Sequence, residues 1–287
     1  MIKFGDYNAM KVKREATFGL FLDKETGNTS DDILLPTGSI IGDRPAIGDE
    51  VRVFVYRDSK DRLVATMKEP KVTVDNLAVL TVNQTTTFGV FMEFGLERDI
   101  LVPQKEMNYP MEVGEDYLVF VYEDKTGRLA ASTQVGRYLD VAEEGQFNIG
   151  DTVTGTIYGE QTNGTLEVAI DNKYMAIILK NEYFTELKPG QEVTGTIKKI
   201  LEDGRISFTP RKKMIDAKED LSDIILAYLT KHDGFMPYND KSTPEEIKKQ
   251  FKTSKNYFKI ALGHLMKHGV ITQDSKGTHL KEKEATK

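Results

Sequence analysis

Hydrophobic residues in the first 210 positions of this 287-residue chain occur mostly in short runs with a period of two. Residues 51–56 and 117–122 are examples, and both runs are rich in β-branched and aromatic side chains, which is typical of half-buried β-strands. Clusters of turn-forming residues, such as those at 23–30, separate the runs. After residue 213 the hydrophobic period changes to three or four. The pattern therefore predicts a β-rich region followed by a smaller helical region.

The β-rich region begins with a sequence module that occurs twice in tandem. Thr17-Phe-Gly-Leu-Phe-Leu22 returns as Thr87-Phe-Gly-Val-Phe-Met92, and the motifs that follow recur in the same order. The offset between the copies is 70 residues at the Phe-Gly, 67 at the later Pro and 66 from the next Gly onward, so the length differences lie in the connections. About five strands in roughly 65 residues are typical of a closed antiparallel barrel, which leaves no sheet edge exposed.

A weaker third copy follows the first two. Strands of the Gly-x-x-Val type begin at Gly150 and Gly190, and Gly204-Arg-Ile-Ser-Phe208 closes the copy. Asn163-Gly-Thr-Leu166 is expected to replace the Phe-Gly-x-Phe segment, so the aromatic pair is absent. We therefore expect three tandem five-stranded OB-fold barrels, at residues 1–70, 71–139 and 140–212.

The helical region is expected to contain three helices and a hairpin. Thr243-Pro-Glu-Glu246 has the spacing of a capping box at the start of the second helix, and Ser254 is expected to cap the third. Residues 234–238 are expected to form a break, and residues 270–280 the hairpin. The expected buried positions of the helices are Leu221, Ile224, Ile225, Tyr228, Ile247, Phe251, Phe258, Ala261, Leu262 and Leu265. This order describes an α+β winged helix at residues 213–287, so the fold class is mainly β with a small C-terminal α+β domain.

Composition narrows the classes of function. Hydrophobic residues make up 39% of the chain and charged residues 29%, which is ordinary for a globular protein. The absence of cysteine excludes disulfides, thiolate nucleophiles and Cys-ligated zinc, and fits a cytoplasmic protein. No apolar run is long enough to span a bilayer and the N-terminus has no secretory pattern, so we expect no membrane partner.

The net charge of −6 is distributed unevenly. Residues 1–210 carry 23 Lys and Arg against 34 Asp and Glu, whereas residues 211–287 carry 16 against 11. The C-terminal quarter is therefore expected to be the main electrostatic contact with any polyanion.

The order of motifs in the repeat resembles the S1-like RNA-binding domain, an OB-fold barrel. That order is Phe-Gly-x-Phe, a short apolar run, Gly-x-x-Val-x-Val and Asp-x-x-x-Arg-Leu. The resemblance implies that two aromatics, a His, an Asp and an Arg on one face hold single-stranded RNA. The matching residues are Phe18, Phe21, Asp58 and Arg62 in the first copy, Phe88, Phe91, Asp124 and Arg128 in the second, and Arg205 in the third. Pro36 and Pro103 occupy the His position.

Aromatic rings beside arginines suit this role, because a ring stacks on any base for about 1–3 kcal/mol and an Arg adds phosphate pairing. The alternative is that the rings belong to the core. Phe18 and Phe21 have opposite strand parity, so on a regular strand one ring faces outward, unless Gly19 marks a bulge that turns both rings the same way. The alternative for Arg62 and Arg128 is a solvated turn residue.

The predicted winged helix offers a second candidate surface. In helix-turn-helix proteins the exposed start of the second helix of the pair enters a groove of nucleic acid, and here that segment is Ser254-Lys-Asn-Tyr-Phe-Lys259. Six Lys and no acid lie from Lys248 to Lys267. The candidate contact residues are Lys248, Lys252, Lys255, Asn256, Tyr257, Lys259 and Lys267. The alternative is a winged helix that docks on proteins and has a solvated lysine face.

Three barrels followed by a winged helix, with the segment from Gly234 through Lys267, resemble the conserved virulence factor B family of bacteria. The resemblance implies RNA binding and control of virulence-factor expression. We therefore expect a cytoplasmic RNA-binding protein that regulates gene expression after transcription and holds single-stranded RNA with low sequence specificity. Two alternatives remain open: a transcription regulator whose winged helix binds duplex DNA, and an adaptor that docks on ribosomal or ribonuclease proteins.

No catalytic or cofactor-binding motif occurs in the sequence. His264 and His268 have a spacing that can share a metal, but Leu265 stands where the zinc-protease pattern has Glu and there is no third ligand in sequence. Phosphate-binding loops and the dinucleotide fingerprint are absent. Adjacent acids such as Asp31 and Asp32 are expected to be solvated. We expect no enzyme activity, no cofactor and no metal.

Overall fold

The computed structural model describes residues 2–58, 60–210 and 214–281. Within these residues, three closed five-stranded barrels precede a winged helix, so the mainly β fold is confirmed. The expected domain boundary at 212/213 lies outside the described residues. The strands of the barrels are β1 (Tyr7–Ala16), β2 (Gly19–Leu22), β3 (Ile33–Pro36), β4 (Glu50–Arg57), β5 (Leu63–Thr66), β6 (Leu77–Thr86), β7 (Gly89–Glu93), β8 (Ile100–Pro103), β9 (Asp116–Glu123), β10 (Leu129–Ser132), β11 (Thr152–Glu160), β12 (Leu166–Ile170), β13 (Tyr174–Ile178), β14 (Glu192–Ile200) and β15 (Ile206–Thr209).

All three barrels have the same strand order. Around the first barrel the order is β1, β2, β3, β5 and β4, and β4 pairs with β1 to close it. The pair β3–β5 is parallel and the others are antiparallel. Side chains that alternate along the strands, such as Val12, Leu22 and Leu35, fill the interior. Short 3-10 helices lie at Thr29–Asp31, Thr37–Ser39, Gln104–Glu106, Val135–Tyr138 and Lys180–Glu182.

The glycine of each Phe-Gly-x-Phe segment is required because a neighbouring strand approaches it closely. Gly19 lies opposite Pro36, and a Cβ on Gly19 would be 2.3 Å from the carbonyl oxygen of Leu35. Gly89 has a φ of +154°, and a Cβ there would be 2.2 Å from the carbonyl oxygen of Val102. No side chain fits at such distances, so the repeated glycine is a packing requirement of the barrel.

The outer side of β4 is buried between the first two barrels. Phe54 and Tyr56 belong to a hydrophobic cluster that is composed mainly of second-barrel residues, and the rings of Phe54 and Phe94 are 6.4 Å apart. Their neighbours Val53 and Val55 fill the first barrel. The expectation of a half-buried strand at residues 51–56 is therefore wrong in its second half, where both sides of β4 are buried.

The outer side of β9 is buried in the same way, against the third barrel. Leu118 and Phe120 pack with Tyr158 of β11 and with the 3-10 helix Val135–Tyr138. The rings of Phe120 and Tyr138 are stacked, with centroids 3.4 Å apart. The division of the barrels at 139/140 stays a prediction, and it would fall directly after Leu139, a buried member of this cluster. Because both junctions are apolar, the full-length chain is the appropriate unit for binding experiments.

The winged helix contains the three helices and the hairpin that the sequence predicts. Its elements are α1 (Met214–Lys231), β16 (Phe235–Met236), α2 (Pro244–Phe251), α3 (Lys255–Lys267), β17 (Ile271–Gln273) and β18 (Thr278–Leu280). β16 lies in the segment that was expected to be a break, and it pairs with β18 to complete a three-stranded sheet. No helix in the described residues is long and apolar enough to cross a membrane.

The predicted helix starts are confirmed. The Thr243 hydroxyl accepts a hydrogen bond from the Glu246 amide, and the Glu246 carboxylate accepts one from the Thr243 amide, which is a complete capping box. The Ser254 hydroxyl accepts from the Tyr257 amide at the start of α3. These caps set the position of α3, on which several predicted contact residues lie.

The predicted core of the winged helix is confirmed except on α1. The expected residues of α2 and α3 are all buried. On α1, Leu221 and Ile225 are buried, but Ile224 is 50% exposed and Leu229 is buried in its place. The difference follows from helical geometry, because Leu221, Ile225 and Leu229 are spaced four residues apart and share one face.

Candidate nucleic-acid interface

The two aromatic pairs of the repeat have the same geometry in the first and second barrels. Phe18 and Phe88 each occupy the second position of a two-residue hairpin loop, and they are 58% and 57% exposed. Their partners, Phe21 and Phe91, are half-buried, and in each barrel the ring centroids are 6.0 Å apart in an edge-to-face arrangement. The outward orientation of one ring, expected from strand parity, is seen for Phe18, although Phe18 precedes β2 instead of lying on it. Neither pair is part of a barrel core.

The two pairs differ in what covers the second ring. An irregularity in β1 after Val12 places Arg14 opposite Phe21, and the guanidinium carbon of Arg14 lies 3.4 Å from the centroid of the Phe21 ring. The counterpart of Arg14 in the second barrel is Gln84, opposite Phe91. Among the described residues no cation lies over Phe91. The second barrel therefore presents an aromatic pair whose rings carry no cation of the protein's own.

A cleft of about 440 Å³ lies between the first and second barrels. The predicted residues that line it are Phe88, Phe91, Asp124 and Arg128 of the second barrel and Asp58 of the first. The other lining residues are Tyr56, Arg57, Phe94, Arg98, Asp99, Ile100, Leu101, Pro103, Leu129 and Ala130. Phe91 pairs with Leu101, and Leu101 with Ala130, so β7, β8 and β10 present these side chains on one surface. Phe18, Phe21 and Arg62 do not line this cleft.

The predicted arginines of the first two copies bind different carboxylates. Arg62 Nη2 donates to Asp58 Oδ2 at 2.6 Å within its own turn. Arg128 reaches across the junction, where its Nε and Nη2 donate to the two carboxylate oxygens of Asp61 at 2.6 and 2.7 Å. These hydrogen bonds from Arg128 hold the pKa of Asp61 below its usual range, so the pair is ionised at neutral pH. Arg62 thus stabilises a turn, whereas Arg128 connects two barrels.

The predicted aspartates shape the turns that carry these arginines. The Asp124 carboxylate accepts from the Thr126 amide, the Thr126 hydroxyl and the Arg128 amide. The Asp58 carboxylate accepts from the Lys60 and Arg62 amides. Burial alone would raise the pKa of each aspartate, but the hydrogen bonds outweigh it and lower both values. Their side chains therefore act as acceptors within the protein.

Sequence reasoning missed Tyr56 and Arg57 of the first barrel and the cation Arg98 on the β7–β8 loop. Arg57 Nε donates to the Gly127 carbonyl at 2.8 Å and Arg57 Nη1 to the Asp61 carbonyl at 2.7 Å, so it joins the facing turns of the two barrels. Arg98 is exposed and lines the same cleft. The sequence contains a signal for Arg98, because the two copies of the repeat differ in charge at this position. The second copy has Arg98 where the first copy has Asp31.

The third barrel differs at the same face. Strand register places Gly164 and Glu167 at the positions of the two Phe, one residue later than the expected counterpart Asn163-Gly-Thr-Leu166. The aromatic pair is absent, and Glu167 adds a carboxylate to that face. Arg205 Nε donates to Asp203 Oδ2 at 2.8 Å, and Arg205 lines a second cleft, at the junction with the second barrel. The predicted Arg205 therefore lies beside an acidic group and has no counterpart of the Phe pair.

The predicted lysines of the winged helix lie on the surface of α2 and α3. Lys248, Lys252, Lys259 and Lys267 are exposed and Lys255 is partly exposed. Among the side chains of residues 2–58, 60–210 and 221–281, no carboxylate lies within ion-pair distance of these five ammonium groups. The predicted Asn256 is exposed, whereas Tyr257 packs partly against the hydrophobic core. The result is an exposed basic surface on two successive helices.

The side chains of the two histidines with metal-sharing spacing contact each other. The rings of His264 and His268 are 4.4 Å apart near the end of α3. No group of three or more His, Asp or Glu side chains in the described part of the chain is arranged to hold a metal ion.

Family models match most of the fold. The S1 domain model matches residues 4–68 and 77–134, which contain the strands of the first two barrels. The CvfB-like winged helix domain matches residues 223–280. S1 domains bind nucleic acid, and neither match is to an enzyme family. The chain therefore contains nucleic-acid-binding domains in the region where the exposed Phe pairs lie.

Similar proteins match this chain over most of their length. The chain is 33% identical to the uncharacterized protein YitL of Bacillus subtilis, over 97% of this chain and 94% of that protein. It is 31% identical to conserved virulence factor B of Staphylococcus epidermidis, over 78% of each protein. A crystal structure of a multidomain protein with nucleic acid binding domains from Streptococcus pneumoniae is 25% identical, covers 97% of this chain and 98% of that one, and has a TM-score of 0.52. The chain belongs to the conserved virulence factor B family.

Proposed function

We propose that this protein is a non-catalytic RNA-binding protein that acts in the cytoplasm on gene expression after transcription. The observation that carries the proposal is the pair of exposed Phe88 and half-buried Phe91 in a cleft with three arginines. Aromatic rings beside cations bind single strands with little sequence preference, because every base has a face that can stack. The name of the staphylococcal relatives extends the proposal to the expression of virulence factors.

The winged helix supports the same proposal from a second surface. Its exposed lysines lie on α2 and α3, on the basic C-terminal quarter of the chain. The barrels carry a net negative charge, so their phosphate contacts are expected to be few and local. Two modest sites on one chain raise each other's effective concentration on one RNA strand. We therefore propose that the cleft supplies base stacking and the winged helix supplies electrostatic attraction.

Two other functions fit a winged helix: binding of duplex DNA, and docking on ribosomal or ribonuclease proteins. Titration of the full-length protein with labelled single-stranded RNA and with duplex DNA, each at several salt concentrations, separates the three. Preference for single-stranded RNA with a marked salt dependence supports the proposal. Tighter binding to the duplex would favour a DNA-binding regulator. If the protein binds neither nucleic acid, docking on ribosomal or ribonuclease proteins would be the remaining function.

Substitution of Lys255 and Lys259 by alanine is expected to weaken binding to single-stranded RNA and to flatten its salt dependence. If both ammonium groups contact phosphates, the slope of log affinity against log salt becomes shallower by about 1.4, which is about 0.7 per contact. The measurement is fluorescence anisotropy over a salt series. Replacement of Lys24 and Lys199, which lie on the barrels, removes the same charge and serves as the control. An unchanged slope in the Lys255/Lys259 variant would remove α3 from the interface.

Substitution Asp61→Asn is expected to strengthen RNA binding. The neutral amide cannot hold the Arg128 guanidinium as the ionised carboxylate does, so Arg128 becomes available to a phosphate. The wild-type protein should show the same gain as the pH falls through the lowered pKa of Asp61, because protonation removes the carboxylate charge. The measurement is RNA affinity at neutral pH, with Asp49→Asn as the control for a lost exposed acid. Equal affinities in the two variants would show that the Asp61–Arg128 pair does not compete with RNA.

A further inference from the structure

We propose, on the basis of the RNA binding proposed above, that Arg98 is the phosphate-binding residue of the cleft and that the first barrel holds it in position. The ligand group is a backbone phosphate of single-stranded RNA, next to a base that stacks on Phe88 and Phe91. The repeat motif assigns this role to Arg128 instead. The two assignments make different predictions for single variants.

The other arginines of the cleft are already engaged. Arg57 donates to two backbone carbonyls, those of Gly127 and Asp61. Arg128 donates hydrogen bonds from Nε and Nη2 to the carboxylate of Asp61. Arg98 is exposed and makes no ion pair or hydrogen bond with any described residue. Arg98 is therefore the cation in the cleft that can bind an anion without breaking an existing contact.

The carboxylates that line the cleft are also engaged. Asp58 accepts from Arg62, and Asp124 accepts from its own turn. Asp99, which follows Arg98 directly, accepts from the side-chain amide of Asn83 at 2.8 Å. None of the three forms an ion pair with Arg98. Arg98 is therefore a cation beside the stacking rings that has no ion-pair partner among the described residues.

The loop that carries Arg98 is held by the first barrel. Glu97 Oε1 accepts from Lys68 Nζ at 2.5 Å, and Glu97 Oε2 accepts from the Tyr56 hydroxyl at 3.3 Å. Burial and the charge of Glu97 raise the pKa of Tyr56 to about 12, so the hydroxyl stays a donor. With Glu97 anchored on one side and Asp99 on the other, the backbone of Arg98 is fixed before any ligand arrives. Such preorganisation lowers the entropy that binding must otherwise remove.

The first barrel lacks this arrangement at its own aromatic pair. Counted back from Pro36 and Pro103, the counterpart of Arg98 is Asp31, whose carboxylate accepts from the Thr26 hydroxyl at 2.8 Å. A carboxylate there would repel a phosphate. The first barrel therefore supplies the support for the cleft, and the second supplies the groups that contact RNA.

The chemistry of the cleft matches one nucleotide unit. Its volume of about 440 Å³ lies in the range of small-ligand sites. A planar guanidinium presents paired N–H groups that fit two phosphate oxygens, and the rings of Phe88 and Phe91 provide apolar surface for a base. Stacking on these rings does not depend on the identity of the base, which agrees with low sequence specificity.

The test compares Arg98→Gln, Arg128→Gln and the control Lys199→Gln in the full-length protein. The probe is a fluorescein-labelled oligouridylate, titrated between about 50 and 200 mM salt. Arg98→Gln is expected to lower affinity by about 10-fold at low salt and to make the log–log salt slope shallower by about 0.7. Arg98→Lys should have the same log–log salt slope as the wild type. Arg128→Gln and Lys199→Gln should also have the wild-type slope.

Two further variants test the positioning by the first barrel and the identity of the contact. Tyr56→Phe removes the hydroxyl that donates to Glu97 and leaves every charge in place, so it should lower affinity without changing the salt slope. On an abasic strand, which has phosphates and no bases, Arg98→Gln should still weaken binding, whereas Phe88→Ala should not. Circular dichroism confirms that each variant is folded.

The outcomes separate this inference from the function on which it rests. If the wild-type protein binds neither strand, the proposed RNA binding fails before any variant is considered. If the wild type binds but Arg98→Gln matches Lys199→Gln in affinity and slope, RNA binding stands and the role of Arg98 is overturned. A shallower slope in Arg128→Gln alone would assign the phosphate contact to the motif arginine.

Discussion

Replacement of both Phe88 and Phe91 by alanine is expected to lower the affinity for single-stranded RNA by about 30-fold. Loss of stacking for the one base that these rings hold removes about 1–3 kcal/mol, and the middle of that range, about 2 kcal/mol, corresponds to about 30-fold. Phe88 is more than half exposed and lies outside the core, so the protein should remain folded. The measurement is fluorescence anisotropy with a labelled oligouridylate, and circular dichroism confirms the fold.

The matched control for this experiment is the first barrel. Alanine at both Phe18 and Phe21 should reduce affinity less, because the Arg14 guanidinium covers the Phe21 ring and the pair does not line the cleft. Equal losses in the two double variants would mean that both barrels stack bases equally. A larger loss in the first barrel would contradict our assignment of the cleft as the main stacking site.

Substitution Gly89→Ala is expected to destabilise the second barrel by about 2–4 kcal/mol, because the new methyl group clashes with a backbone carbonyl and the backbone angle is strained. The carbonyl is that of Val102 on the adjacent strand, which cannot move without disrupting the β7–β8 pair. The measurement is hydrogen exchange of the β7 and β8 amides, which reports this barrel separately from the others.

Gly38→Ala provides the control, because no atom lies within 4 Å of a Cβ at that position and its φ is not positive. Its exchange rates and its midpoint of unfolding should stay close to those of the wild type. If Gly89→Ala behaved like Gly38→Ala, the close approach of the two strands would be wrong. Because Phe88 adjoins Gly89, the same variant should also weaken RNA binding.

Much of the fold could be predicted because its determinants are local. Alternating hydrophobic residues predicted strands, and the recurrence of Phe-Gly-x-Phe predicted a duplicated barrel. The capping box at Thr243 and the cap at Ser254 predicted the starts of two helices within a residue. Each of these signals depends on residues a few positions apart. The missed strand β16 has only two residues, too few for a periodic pattern to show.

The site could be predicted only in part, because its decisive contacts join distant residues. The aromatic pairs were found from sequence, but the position of Phe18 in a hairpin loop required the strand register. The partner of Arg128 is Asp61, 67 residues away and on another barrel. Likewise, the anchoring of Glu97 by Lys68 depends on how two barrels dock. Neither periodicity nor motif spacing encodes such docking.

The buried outer faces of β4 and β9 have a consequence for how the chain unfolds. Phe54 and Tyr56 are covered by the second barrel, and Leu118 and Phe120 are covered at its junction with the third. Unfolding of the second barrel exposes apolar surface on both of its neighbours, whereas unfolding of the first exposes only one junction. The stability of each barrel therefore depends on the barrels next to it. The second barrel, which has a neighbour on each side, is the most strongly protected from unfolding while the others stay folded.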